Sequence, residues 1–239
     1  MPSMMKPPKS SPSLQKAQGE GAEEAVSTAY VRTRNFLDEY RAALIATAVG
    51  IVVIFLGVLG LFYYQHGRSV EANEMLGSIL PVYEAGEFEQ ALEGTDDLAG
   101  LRTIATDYRR SPAGNLAAFF AGHALFQLER YEEADEYFAR FRGEDMLQAS
   151  ALAGRAAVAE ERGDHGRAAR LYEDAASTYR SAAAAPEYLA DAARNHEQAT
   201  NLSAARRAYE KIASDYEESQ LAGTVPVHLA RLDAMQAAD

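Results

Sequence analysis

Residues 42–64 contain no charged side chain and are rich in Ile, Val, Leu and Phe, closing on Tyr63-Tyr64. A helix over that run spans about 34 Å, enough to cross a hydrocarbon core of about 30 Å with slight tilt. The two tyrosines fit the aromatic belt at a membrane interface. A buried core helix is the competing reading, but soluble cores rarely hold so long an unbroken apolar run. A cleaved signal peptide has a short basic start, 7–15 apolar residues and a small-residue cleavage site. Here some forty residues come first and Gln65-His66-Gly67-Arg68 follow. The pattern predicts a retained signal anchor with a single span.

Charge gives its direction. Arg32, Arg34 and Arg41 precede the run, and within the same distance after it only Arg68 appears. The positive-inside rule then leaves the N-terminus in the cytoplasm and the larger C-terminal part across the membrane. In a bacterium that is an inner-membrane protein with a periplasmic domain.

Several chemistries are disfavoured. The net charge of −12 speaks against nucleic acid, which requires clustered Lys and Arg. Lysines stand only at 6, 9, 16 and 211, and arginines are interleaved with Asp and Glu, the pattern of solvated helix faces. With no cysteine there are no disulfides, thiolate metal sites or cysteine nucleophiles. The histidines at 66, 123, 165, 196 and 228 lack metal-ligand spacing, and Thr200 stands where a zinc-protease motif begun at His196-Glu197 needs its second histidine. Neighbouring carboxylates such as Glu132-Glu133 and Glu160-Glu161 point about 100° apart on a helix, so they do not converge on one substrate atom. No phosphate-binding glycine loop or nucleophile elbow is present. The expectation is a non-enzyme with no cofactor, no metal and no small-molecule substrate.

Residues 1–22 are rich in Pro, Ser, Lys and Gln and are expected to be unstructured on the cytoplasmic side. Over 23–41, Val26, Tyr30, Leu37 and Tyr40 fall near helical spacing and predict an amphipathic juxtamembrane helix. From 65 to 239 helical patterns alternate with short turn signals at 86–87, 129–130 and 162–164, which predict helical hairpins.

Those hairpins repeat. The segments 131–138, 165–172 and 202–209 align on Ala134, Ala168 and Ala205, separated by 34 and 37 residues. A weaker copy over 88–92 carries Ala91, with an insertion after it over 94–102. Twelve residues before the three alanines stand Gly122, Ala156 and Ala193, and four after them stand Phe138, Tyr172 and Tyr209. Small residues let helices approach closely and the aromatic fills the space between hairpins. A period of 34 residues is that of tetratricopeptide (TPR) repeats. The expected fold is all-α: a TPR-like helical-hairpin solenoid after a single N-terminal transmembrane helix.

The stretch from Ile104 to Ala117, the copies around Gly122 and Tyr131–Phe138, and Ala208–Tyr216 resemble membrane-anchored bacterial tetratricopeptide proteins. The layout is similar to the YfgM-like ancillary subunits of the Sec translocon. The resemblance covers about residues 25–235, apart from a longer, Pro-rich N-terminus. It implies partners among translocon components, periplasmic chaperones and secreted clients.

In this fold the first helix of each hairpin lines a binding groove. The register gives Phe119, His123, Phe126 and Gln127 from the first full copy, and Ala153, Ala157, Glu160 and Glu161 from the second. The third gives Ala190, Arg194, Glu197 and Gln198. Such a groove suits a segment with apolar anchors and some positive charge. Alternatively, Phe119 and Phe126 pack against the preceding unit. Two functions follow: a translocon- or chaperone-linked adaptor, or a scaffold in another cell-envelope assembly such as cell-wall, outer-membrane or secretion machinery. A stalk or oligomerisation module is a further possibility.

Overall fold

The computed structural model describes the backbone of residues 12–238, and side chains over 42–237 except Leu44 and Ala48. The chain divides into two compact units, Met1–Tyr63 and Tyr64–Asp239. Part of the segment expected to be unstructured, 1–11, lies outside the described residues, and over 12–22 the backbone is helical. The side chains of the expected amphipathic stretch 23–41 also lie outside them.

Helix α1 runs from Pro12 to Glu84. Its part from Ile45 onward is the one described helix long and apolar enough to cross a membrane. Within the first unit its described apolar side chains stand in the open, Ile54 69% and Phe62 66% exposed.

The second unit is all-helical among the described residues, apart from one isolated bridge between Gly94 and Ala99. After the end of α1 come α2 (Phe88–Glu93), α3 (Leu101–Asp107), α4 (Pro112–Gln127) and α5 (Tyr131–Arg140). Then follow α6 (Asp145–Glu161), α7 (His165–Thr178), α8 (Ala185–Gln198), α9 (Leu202–Asp215) and α10 (Val225–Ala238). From α2 to α10 each helix packs on the next in chain order, and α4 also touches α6. This is the stacking of a helical repeat, in which each hairpin covers the apolar stripe of its neighbour.

Four turns carry the periodicity in the backbone. Gly86, Glu129, Gly163 and Thr200 all have positive φ, between 56° and 81°. The residue after each donates its N–H five residues back: Glu87 to Val82, Arg130 to Leu125, Asp164 to Ala159 and Asn201 to His196, at 2.8–3.2 Å. This is the Schellman ending, which satisfies carbonyls the helix leaves over. Each turn residue precedes its repeat alanine by five, so Ala91 stands in register with the other three. Local capping starts the helices that follow. The side chains of Asp164 and Asn201 accept from the N–H groups of Arg167 and Ala204, and Ser111 caps α4 through Gly114.

The hairpins approach closely where side chains are missing. A Cβ on Gly122 would lie 2.9 Å from Phe138 Cδ1, and one on Gly154 would lie 2.6 Å from Phe138 Cζ. The Phe138 ring thus fills a slot with a glycine on each wall. Tyr172 shares a buried cluster with Ala156, and Tyr209 shares one with Ala193 and Ala205. In the first copy the small position holds Ile79, fully buried, together with Leu92, Leu101 and Ile104. There the insertion after Ala91 forms a pinched loop over 94–100, and α2 and α3 on its two sides both pack on α4. Gly94 and Gly100 close its base, since a Cβ on either would strike backbone within 2.3 Å.

Ion pairs tie successive hairpins on their wet faces. Arg102 pairs with Glu93 and Glu133, while Asp135 receives Arg155 at 2.8 Å and Arg167 at 2.7 Å. At the C-terminal end Arg206 pairs with Asp233, and Arg231 reaches Glu197 at 2.7 Å. Much of the arginine interleaved with acid in the sequence is spent here.

Candidate protein-binding surface

Helices α4, α6 and α8 supply the surface on which the expected contacts fall. Phe119 is half-buried, its ring 5.9 Å from Phe138 and 5.4 Å from Phe141, and Phe126 lies 5.7 Å from Tyr131. These ring contacts are with the following helix, α5, and its end, so each phenylalanine offers only one edge to a ligand. His123 reaches back to α1. Its Nδ1 stands 2.7 Å from the Tyr83 hydroxyl, and the ring lies against both Tyr83 and Phe88. Burial lowers the His123 pKa and raises that of Tyr83, so a neutral imidazole faces a neutral phenol across this hydrogen bond. The other ring nitrogen, Nε2, stands 3.3 Å from the Gln127 side-chain nitrogen.

The acidic part of the surface is built twice in the same way. The Tyr172 hydroxyl donates to Glu160 at 3.2 Å, and the Tyr209 hydroxyl donates to Glu197 at 2.9 Å, each tyrosine twelve residues after its acid. Glu197 is further held by Arg231 through both carboxylate oxygens, leaving its side chain 12% exposed. Glu161, Gln127 and Gln198 remain exposed, and Arg194 is exposed while bridging Asp191 at 2.6 Å.

Asp191 was not among the residues expected from the repeat register. Burial raises its pKa, Arg194 counters, and Glu160 and Glu187 nearby add to the rise. Three carboxylates therefore share this stretch with one arginine, an electrostatic deficit that a cationic side chain relieves. Its only signal in the sequence was the Asp–Arg spacing of three on one helix. Also unforeseen is Asn195, fully buried, whose Oδ1 accepts from His165 Nδ1 at 3.0 Å and whose Nδ2 donates to the Asp191 carbonyl. His196, expected at a packing position, is buried with Nε2 3.2 Å from Glu173. Among the described residues, no three His, Asp or Glu side chains are grouped so as to hold a metal ion.

No family model matches this chain, and no curated protein matches it. The function therefore rests on the surface itself: half-buried aromatic edges at one end, and an under-neutralised acidic stretch at the other.

Proposed function

We propose that this protein is a non-catalytic, single-span membrane adaptor whose TPR-like domain docks other proteins outside the cytoplasm. The reading is supported above all by one combination. An apolar helix whose described side chains stand exposed precedes a stacked helical array that offers aromatic edges and the Glu160–Glu161–Asp191 acids. Lipid is the solvent that such a helix needs. Grooves of this composition accept an extended or helical segment carrying apolar anchors and positive charge.

The sequence resemblance directs the choice of partner to the secretory machinery. The N-terminus lies in the cytoplasm, and the ligands are translocon components, envelope chaperones or secreted clients. Capture of the full chain from mild detergent at native expression is expected to recover translocon subunits or chaperones. Enrichment of a cell-wall, outer-membrane or other secretion complex instead would assign the scaffold reading. Protease added to spheroplasts is expected to cut the 65–239 region without disruption of the cells; cleavage only after lysis would reverse the orientation.

A further inference from the structure

The second unit carries a basic surface that neither the repeat nor the proposed groove uses. Arg109 and Arg110 sit in the turn between α3 and α4, both exposed, and no acidic side chain pairs with either among the described residues. With Arg140 and Arg142 they line an open groove of about 730 Å³, whose floor is Thr106, Asn115 and small residues. Arg140 has one loose partner, Glu136 at 3.6 Å, and otherwise lies over the Tyr137 ring. The Arg142 guanidinium donates to the carbonyls of Ala139 and Phe141, which leaves its charge unneutralised. Four arginines in one groove are out of keeping with a chain of net charge −12.

Its position follows from contacts within the unit. Arg68 donates to the Asp107 carbonyl at 2.8 Å and lies over the Tyr108 ring, so the 107–110 turn stands level with residue 68 of α1. Further along, Tyr83 of α1 meets His123 of α4, so the contacts advance from the 107–108 turn into α4 as they advance along α1. The two therefore run side by side in parallel, with the arginine turn at the Tyr64 end. Asn115 at the start of α4 exchanges hydrogen bonds with the Arg142 backbone, bringing the end of α5 to the same level. Four residues beyond Arg142 in sequence, Met146 is 54% exposed at the start of α6. Residue 68 is one helical turn, about 6 Å, past Tyr64.

We infer that Arg109 and Arg110, with Arg140 and Arg142, form a docking surface for the anionic phospholipid headgroups of the adjoining leaflet. The inference rests on the reading that residues 42–64 span the bilayer. A phosphodiester headgroup supplies the acceptor oxygens that guanidinium forks match, and the 107–108 backbone is held by Arg68, four residues after Tyr64. Each arginine near an anionic surface strengthens attachment by about fivefold, so the two unpaired ones together count for roughly thirtyfold.

The test uses the full chain in nanodiscs of phosphatidylcholine, alone or with added phosphatidylglycerol, read by backbone hydrogen exchange. The anionic lipid is expected to slow exchange several-fold over residues 105–118, and to leave it unchanged in Arg109→Gln/Arg110→Gln. Unaltered exchange over α7–α9 certifies that the variant is folded. Equal exchange in both discs, with 42–64 protected, overturns the lipid site and leaves the membrane reading standing. Failure to protect 42–64 in either disc overturns both. Equal slowing by inorganic phosphate in neutral detergent reassigns the groove to soluble anions and overturns the headgroup assignment.

Discussion

Phe138 occupies the space that a side chain on Gly122 would need, with Cδ1 only 2.9 Å from the position of its missing Cβ. Gly154 bounds the same ring from α6, so one aromatic side chain sets the distance among three helices. Gly122→Val is expected to destabilise the domain by about 1–3 kcal/mol through overpacking. Phe138→Ala is expected to cost about 3–5 kcal/mol through the cavity it leaves. Combining Gly122→Ala with Phe138→Leu should cost less than the sum of the two singles, because each relieves the other. Urea unfolding of the full chain in mild detergent measures all of these, and strict additivity would show that the residues do not share a space.

The four Schellman turns provide an internally controlled experiment. Glu129 and Thr200 adopt positive φ with a side chain, whereas Gly86 and Gly163 do so without one. Glu129→Gly and Thr200→Gly are each expected to stabilise by about 0.5–1 kcal/mol, as removal of the Cβ clash outweighs the added unfolded-state freedom. Gly163→Ala should move the midpoint the other way by a similar amount. A loss of stability on Glu129→Gly would mean that its side chain contributes more than its backbone costs.

Two aspartates set the acid limb in opposite senses. Burial opposes ionisation of Asp135, but hydrogen bonds from Arg155 and Arg167 outweigh it and hold the carboxyl below the usual range. Its stabilisation is present above the unfolded value near 3.9 and is lost as pH falls through the lower folded value. Asp191 is raised by burial, so ionising it costs stability at neutral pH, and acid removes that cost as pH falls through its folded value. Asp191→Asn is expected to stabilise at pH 7 and to have little effect below pH 4. Asp135→Asn should destabilise at pH 7 by about 1.5–3 kcal/mol, the worth of charged hydrogen bonds, with the difference shrinking in strong acid. Denaturant midpoints between pH 3 and 7 decide both signs.

The paired tyrosines are readable by absorbance. Burial first, and the bond to Glu197 second, push the Tyr209 phenol up to about 12, and burial with Glu160 beside it raises Tyr172 further. Stability tied to Tyr209 is full below pH 10 and is lost as pH rises through 12. In a titration at 295 nm, these two of the 13 tyrosines are expected to ionise last. Replacing either by Phe should remove one late step, and an unchanged late phase would place the raised phenols elsewhere.

The groove makes a charge prediction of its own. Glu161 is exposed, and Asp191 with Glu160 is under-neutralised by Arg194. Glu161→Lys with Asp191→Asn is expected to reduce capture of the identified partner at least tenfold without lowering the unfolding midpoint, which the Asp191→Asn change raises at pH 7. Capture at the wild-type level would move the binding face to another surface of the array.

The repeat was legible because packing imposes a short-range rule on the sequence: Gly or Ala twelve residues before the central alanine, an aromatic four after it. The apolar run at 42–64 was legible because its length and lack of charge depend on no partner. The turns at Gly86, Glu129 and Gly163 were legible in the sequence, two of them by glycine, whereas Thr200 adopts the same conformation and carries no such mark. Gly154 went unnoticed, since it falls outside the twelve-residue register and matters only once α6 lies beside Phe138.

Local periodicity and composition by themselves determined the helices, their order of pairing and the exposed apolar run, because those follow from interactions a few residues apart. Tertiary structure alone decided which charges are neutralised. Glu197 is taken up by Tyr209 and by Arg231, 34 residues away, and Arg109 and Arg110 follow the backbone that Arg68 holds at Asp107, with no ion pair to either among the described residues. Coulomb and hydrogen-bond partners are set by distance in space, and a stacked array brings together residues that no spacing along the chain relates.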